Sequence, residues 1–199
     1  MSYQVVIAKY KENIDWTNTV ENVKIYNKGP DGDIPNIGRE GETFLRYIIE
    51  HYEVLPDFVV FLQGDPFPHM PPSVNKDTIG YQIKNKQLNK PIEPCFGIWA
   101  SEVVHTFPGL NTDQYYKFFF KKDLENDTIR YVPGCQYFIK REAILKNSKE
   151  FYINLKNMLV KGSEKYERYH DKTHRGPNNF DTSEINGWTL ERLWPHFFL

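Results

Sequence analysis

The run Phe58-Val59-Val60-Phe61-Leu62-Gln63-Gly64-Asp65-Pro66 decides how this chain folds. Five consecutive apolar residues, Phe58 to Leu62, predict a short strand covered on both faces, as strands are when helices lie on either side of a sheet. Gln63, Gly64 and Asp65 then leave the C-terminal end of that strand, which is the edge where open α/β sheets bind ligands.

Working outward, Arg39 to Tyr52 places Leu45, Ile48, Ile49 and Tyr52 at helical spacing with polar residues between them, which predicts a one-sided helix. Pro56-Asp57 closes the connection to the strand. Further upstream, Val5 to Ala8 and Val23 to Tyr26 read as short strands, the second ended by the turn formers Asn27-Lys28-Gly29-Pro30-Asp31-Gly32-Asp33. Strand, strand, helix, strand in this order implies an α/β sandwich. Downstream, Phe67 to about Pro94 shows little periodicity and reads as long loops with room for one short helix. Tyr131 to Ile139 reads as a further strand with a turn before it. It leads into a helix over Arg141 to Val160 that Gly162 stops. Trp188 to Trp194 predicts a short amphipathic helix after a polar stretch.

The chain has 199 residues, within the range of one domain, and no repeat or low-complexity linker divides it, so a single domain over 1–199 is expected. With 25 basic and 26 acidic side chains it has no global field favouring nucleic acid or an anionic membrane, so any charged partner must be held locally. No window approaches a membrane-spanning run, and Met1 to Ala8 is too short for a signal sequence. Cys95 and Cys135 form neither a metal-ligand spacing nor a disulfide framework, which points to a soluble, reduced, cytoplasmic protein. Aromatic residues reach 16%, which suits core filling and also stacking on bases or sugar rings.

Taken from the residues alone, Asp65 has two readings: an oxygen ligand for a divalent cation that bridges to a diphosphate, or a turn former before Pro66. His170 and His174, four apart around Asp171, have the spacing of two zinc ligands on a helix. They lack the glutamate of a zinc-protease motif and precede Gly176-Pro177-Asn178-Asn179, so they read as a solvated loop.

Several segments in order carry a resemblance: Val5 to Glu12, Tyr26-Asn27-Lys28-Gly29, Pro35 to Gly41, Phe61-Leu62-Gln63-Gly64-Asp65-Pro66 and Leu190-Glu191-Arg192-Leu193-Trp194. Together they resemble a family of mostly uncharacterised domains from fungi, bacteria and large algal viruses. That family is similar to the glycosyltransferase domain, of GT-A fold, in a chlorella-virus glycan-building protein. The resemblance implies a GT-A-like α/β/α sandwich with a mixed central sheet. It implies a nucleoside-diphosphate sugar donor, a UDP-sugar foremost, and a glycan or glycoprotein hydroxyl as acceptor, with no nucleic-acid partner.

The same resemblance implies Mn²⁺ or Mg²⁺ at the position of an Asp-x-Asp motif, which here is Gln63-Gly64-Asp65 with an amide as its first member. Asp65 becomes a metal ligand and catalytic residue, and His196 a late metal ligand. Ala8, Tyr10, Glu12, Lys28, Asn36, Arg39, Gln63 and Gly64 become donor contacts. Tyr10 would stack on the base and Arg39 would meet the diphosphate at the start of its helix. On the acceptor side Gln136 and Trp188 become substrate contacts, and Glu191 a sugar ligand or general base. Ordinary structural roles compete: Tyr10 covering the sheet edge, Arg39 paired with Glu40 or Glu42, Glu191 paired with Arg192, Trp188 in the core. Because Gln63 replaces an acid, a non-catalytic nucleotide-sugar or glycan-binding domain of the same fold is the alternative.

Overall fold

Val5, Val6 and Ile7 have no exposed surface, and neither do Val59 to Leu62, so both strands are buried on both faces. The computed structural model describes residues 1–103, 112–159 and 182–199, the side chains of 182–186 excepted. Strands β1 (Tyr3–Lys9), β2 (Val23–Asn27) and β3 (Phe58–Gln63) are parallel, with β1 between the other two and Ala8 level with Gln63. Between β2 and β3 runs helix α1 (Arg39–His51), which continues as a 3₁₀ turn over Tyr52–Val54.

Beyond β3 the chain forms the short helix α2 (Ile79–Lys84) and two strands the sequence did not signal, β4 (Ile92–Pro94) and β5 (Ala100–Val103). Helix α3 (Thr112–Phe120) follows, then β6 (Thr128–Tyr131) and β7 (Tyr137–Lys140). Strand β7 is antiparallel to both β3 and β4, which completes a mixed five-stranded sheet in the order β2-β1-β3-β7-β4. Strands β5 and β6 form a separate antiparallel ribbon.

The single strand expected over Tyr131 to Ile139 is therefore two strands in two sheets. Pro133 fixes one backbone angle and removes a donor, and Gly134 and Cys135 take positive φ of 76° and 53°, so the chain cannot stay extended between them. The expected helix over Arg141 to Val160 is also broken, into α4 (Arg141–Ile144) and α5 (Lys149–Met158). Ser148 restarts it, its hydroxyl accepting the Phe151 N–H at 3.2 Å as an N-cap. The last helix, α6 (Thr182–Leu193), is longer than expected and ends in a 3₁₀ turn at Pro195.

Alternation along the strands sends two sets of side chains to opposite faces. Val6, Val59, Phe61, Tyr137 and Ile139 pack with Phe44, Ile48, Leu155, Leu190 and Trp194 from α1, α5 and the C-terminal segment. Val5, Ile7, Val60, Leu62 and Phe138 pack with Trp16, Val74, Ile79 and Ile83 on the other side. The result is a mixed α/β sandwich with helices on both faces of the sheet. Among the described residues no helix is long and apolar enough to cross a membrane.

The second face depends on a close approach. A Cβ on Gly80 of α2 would stand 1.9 Å from the Thr19 carbonyl oxygen, a backbone atom. Gly80→Ala is expected to destabilise the fold by about 1–3 kcal/mol through overpacking, despite alanine's better helix propensity. An unchanged urea midpoint would show that α2 can move away at no cost.

Candidate functional site

Three parallel strands ending together bring Tyr10, Lys28 and Gln63-Gly64-Asp65 to one edge of the sheet. Because β7 is antiparallel and begins opposite Phe61, the turn Gly134-Cys135-Gln136 enters at the same edge. Helix α1 begins there with Gly38 and Arg39 at positive φ of 61° and 53°.

Gln63 and Gly64 are fitted to their neighbours through glycine. The Glu12 carboxylate lies over Gly64, with Oε2 2.6 Å from where a Cβ would be, and it accepts the Tyr10 N–H at 2.6 Å. The Gly64 carbonyl accepts the Trp16 indole N–H at 2.8 Å, a buried bond that ties the edge to the second core face. Gln63 rests its carboxamide on Gly134, where a Cβ would come within 2.6 Å of Oε1. Gln136, expected to touch substrate, has no exposed surface; its carboxamide accepts the Gln63 N–H at 3.4 Å and donates to the Pro66 carbonyl at 3.2 Å. It shapes the Gln63 to Pro66 loop from beneath.

Glu191, on α6, closes the edge. Its carboxylate accepts the Gly134 N–H, and its other oxygen lies 3.7 Å from Arg192. Burial, and next to it the charge of Glu40, push its carboxyl up to about 7 against the Gly134 N–H, Arg192 and Arg39. Arg192 is held mainly elsewhere: it makes two bonds to Glu102, at 2.9 and 2.8 Å, and one to the Trp188 carbonyl. Tyr131 donates its hydroxyl to the same Glu102 at 3.0 Å. The expected Glu191–Arg192 pair is thus the weaker of two, and Glu191 keeps a carboxyl whose proton affinity suits exchange near neutral pH.

Arg39 lays its stem across Gly187, and its guanidinium sits 5.5 Å from the Trp188 ring centroid and 3.7 Å from Glu40. The arginine and tryptophan expected on opposite sides of a reaction therefore touch. Lys28 lines the same cavity as Tyr10 and Asn36, but its ammonium is turned to the protein. It is 4% exposed and gives its three N–H bonds to the Ile37 and Arg39 carbonyls and to Glu42, so it pins the segment that presents Arg39.

Tyr10, 39% exposed, and Asn36 line one open cavity of about 490 Å³ with Gly29, Pro30 and Asp33. Ala8 is buried in β1 with no polar group on its side chain.

Asp65 is exposed and lines another cavity, walled by Phe67, Met70 and Pro71. His196 lines a third, with Trp99, Tyr116 and Arg130, and burial pushes its imidazole below the ordinary range. Asp65 and His196, both expected as metal ligands, line separate cavities. Among the described residues no group of three or more His, Cys, Asp or Glu side chains is placed to hold a metal. His170 and His174 lie outside the described residues.

Glu40 and Glu102 were not candidates from sequence. Glu40 had a signal, as a second acid beside Arg39, whereas Glu102 stands 90 residues from Arg192 with no local pattern to join them.

Residues 5–89 match a family model described as protein of unknown function (DUF3431). The matched part is less than half of the chain; it takes in Tyr10, Arg39 and Asp65 and leaves out Gly134, Trp188 and Glu191. No curated protein sequence and no solved structure matches the chain.

Proposed function

We propose that this chain binds a nucleoside-diphosphate sugar, a UDP-sugar foremost, and transfers the sugar to a hydroxyl of a glycan or glycoprotein, on a GT-A-like fold. The observation that carries the reading is Glu191: a buried carboxyl held up to about 7, bonded to Gly134 beside Gln63, at the carboxyl edge of the parallel strands. In this reading the base stacks on Tyr10 in the cavity shared with Asn36. The Arg39 guanidinium, backed by the Trp188 ring, offers N–H donors to the diphosphate. The acceptor oxygen bonds to the anomeric carbon as the bond to the diphosphate breaks, and Glu191 takes the acceptor's proton. Asp65, exposed beside Gly64, binds hydroxyls of the donor sugar. No step is routed through a metal ion.

One observation favours a second reading. Gln63 offers an amide where the resemblance expects an acid, and that amide is packed on Gly134. A domain that binds a nucleotide sugar or glycan without turnover would have the same pocket.

The test uses purified protein with UDP- and GDP-sugars, with and without Mn²⁺, following melting temperature and release of free nucleotide. Arg39→Ala is expected to weaken donor binding about tenfold, from the loss of charge-assisted bonds to phosphate. Binding without nucleotide release supports the second reading. If no donor shifts the melting curve and Arg39→Ala and Asp65→Ala change nothing, the transfer reading and nucleotide-sugar binding both fail.

A further inference from the structure

The ribbon of β5 and β6 has two faces. Ile129 and Tyr131 turn inward, Tyr131 to the Glu102–Arg192 pair, while Thr128 and Arg130 alternate to the other side and line a cavity of about 900 Å³. The proposed transfer uses none of its residues.

The lining combines apolar walls with polar groups of both kinds. Ile92 of edge strand β4 and the rings of Trp99 and Tyr116 form apolar walls, and the Arg130 guanidinium lies 5.4 Å from the Trp99 ring centroid. Asn89 and Asn126 bring exposed carboxamides to the rim, each a donor and an acceptor. Charges balance: Lys90 and Arg130 stand against Glu93 and Glu125. Glu93 is already taken by the Lys86 ammonium at 2.7 Å and by the Asn89 and Lys90 N–H groups at 2.6 and 2.9 Å. The charges that remain, Lys90, Arg130 and Glu125, are all exposed, so water screens them and an ion of either sign has little to select it. A flat, purely apolar ligand would leave the carboxamides and the guanidinium without partners.

We propose that this cavity binds a neutral carbohydrate chain. A sugar has an apolar ring face for the Trp99 and Tyr116 walls and hydroxyls that both donate and accept for Asn89, Asn126 and Arg130. Stiff aromatic walls lose little entropy on binding, and the volume is that of a ligand site. Arg130 and Gly134 are four residues apart, so their Cα atoms are no more than about 14 Å from each other. A glycan held here stays beside the Glu191 edge without entering it.

The probes are maltotetraose, cellotetraose, mannotetraose and N-acetylchitotetraose, each at millimolar concentration, followed by saturation-transfer NMR and by titration calorimetry. At least one is expected to bind. Trp99→Ala is expected to weaken it about tenfold and Asn126→Gly about threefold. Asn126 has φ of 53°, which glycine adopts freely, so Asn126→Gly keeps the fold and tests the site even if Trp99→Ala destabilises it. Donor-induced melting shifts stay unchanged in both variants. The inference is overturned if none of the four binds, or if binding survives both substitutions. It is also overturned if Arg39→Ala or Glu191→Gln abolishes saccharide binding, which would place the sugar at the transfer edge. Loss of donor binding with saccharide binding intact would sink the proposed function and leave this site standing.

Discussion

Replacing Glu42 with alanine is expected to cost about 3–5 kcal/mol of folding free energy, the usual range for stripping one partner from a buried ion pair. Glu42 has no exposed surface and sits among three cations: Arg46 at 2.6 Å, Lys28 at 3.3 Å and Lys156 at 3.7 Å. Arg46 and Lys156 are 21% and 26% exposed and can turn to water once the carboxylate is gone. Lys28, at 4%, cannot. Burial already pulls its ammonium below the ordinary lysine range, with Glu42 the main opposing group, so removing Glu42 leaves only the Ile37 and Arg39 carbonyls and the charge of Glu40 against the penalty. Lys156→Ala removes a partly exposed and more distant partner and should stay within about 0.5 kcal/mol of the parent. Urea unfolding of the two variants separates the effects, and a Glu42→Ala loss below about 1 kcal/mol would show that water reaches Lys28. The consequence extends to function, because Lys28 also holds the carbonyls of Ile37 and Arg39, and Arg39 occupies a positive φ that few residues adopt unaided. Glu42→Ala should weaken donor binding even though Glu42 touches no ligand.

That dependence was hidden in the sequence, where Lys28 stood in a run of turn formers and was expected to contact the donor. The signals that did read correctly were local. Phe58 to Leu62 and Val5 to Ala8 are buried strands because a run of apolar side chains has no polar face to offer water, and α1 repeats its apolar residues at the helical period. The signals that misled were local too. Tyr131 to Ile139 contains enough β-forming residues for one strand, yet Pro133 and two positive φ angles divide it between sheets. Arg141 to Val160 keeps a helical apolar pattern across Leu145 to Ser148, where Ser148 caps a second helix.

For the candidate site, sequence brought Tyr10 with Asn36, and Gln63 with Gly64, because each pair follows a strand end. It also named Glu191, Arg39 and Trp188. What it could not supply was which of these meet. Arg39 touching Trp188, Arg192 turning to Glu102, and Asp65 and His196 lying in separate cavities are products of tertiary packing between segments far apart in the chain. Pairing rules for neighbouring residues favoured Glu191 with Arg192, and geometry gave Arg192 a better carboxylate.

Glu191→Gln is where stability and activity should move in opposite directions. The folded protein raises the Glu191 carboxyl from its ordinary 4.5 to about 7, so between these values the native state holds a proton that the unfolded chain releases. Stability contributed by Glu191 is therefore fully present below about 4.5, falls as pH rises, and is lost above about 7. A carboxamide does not titrate, keeps an oxygen for the Gly134 N–H and removes the repulsion from Glu40. Relative to the parent, Glu191→Gln should gain about 2–3 kcal/mol between pH 5 and pH 8, read from urea unfolding at each pH. A difference that stays flat across that range would mean Glu191 is ionised throughout and well solvated. In the proposed reaction the same change removes the group that takes the acceptor's proton. Sugar transfer should drop at least about a hundredfold while the donor-induced melting shift remains, and parent activity should rise with pH through about 7. A variant that is stabilised at pH 8 and still transfers sugar would leave Glu191 as a strained structural carboxyl and move the base elsewhere on the edge.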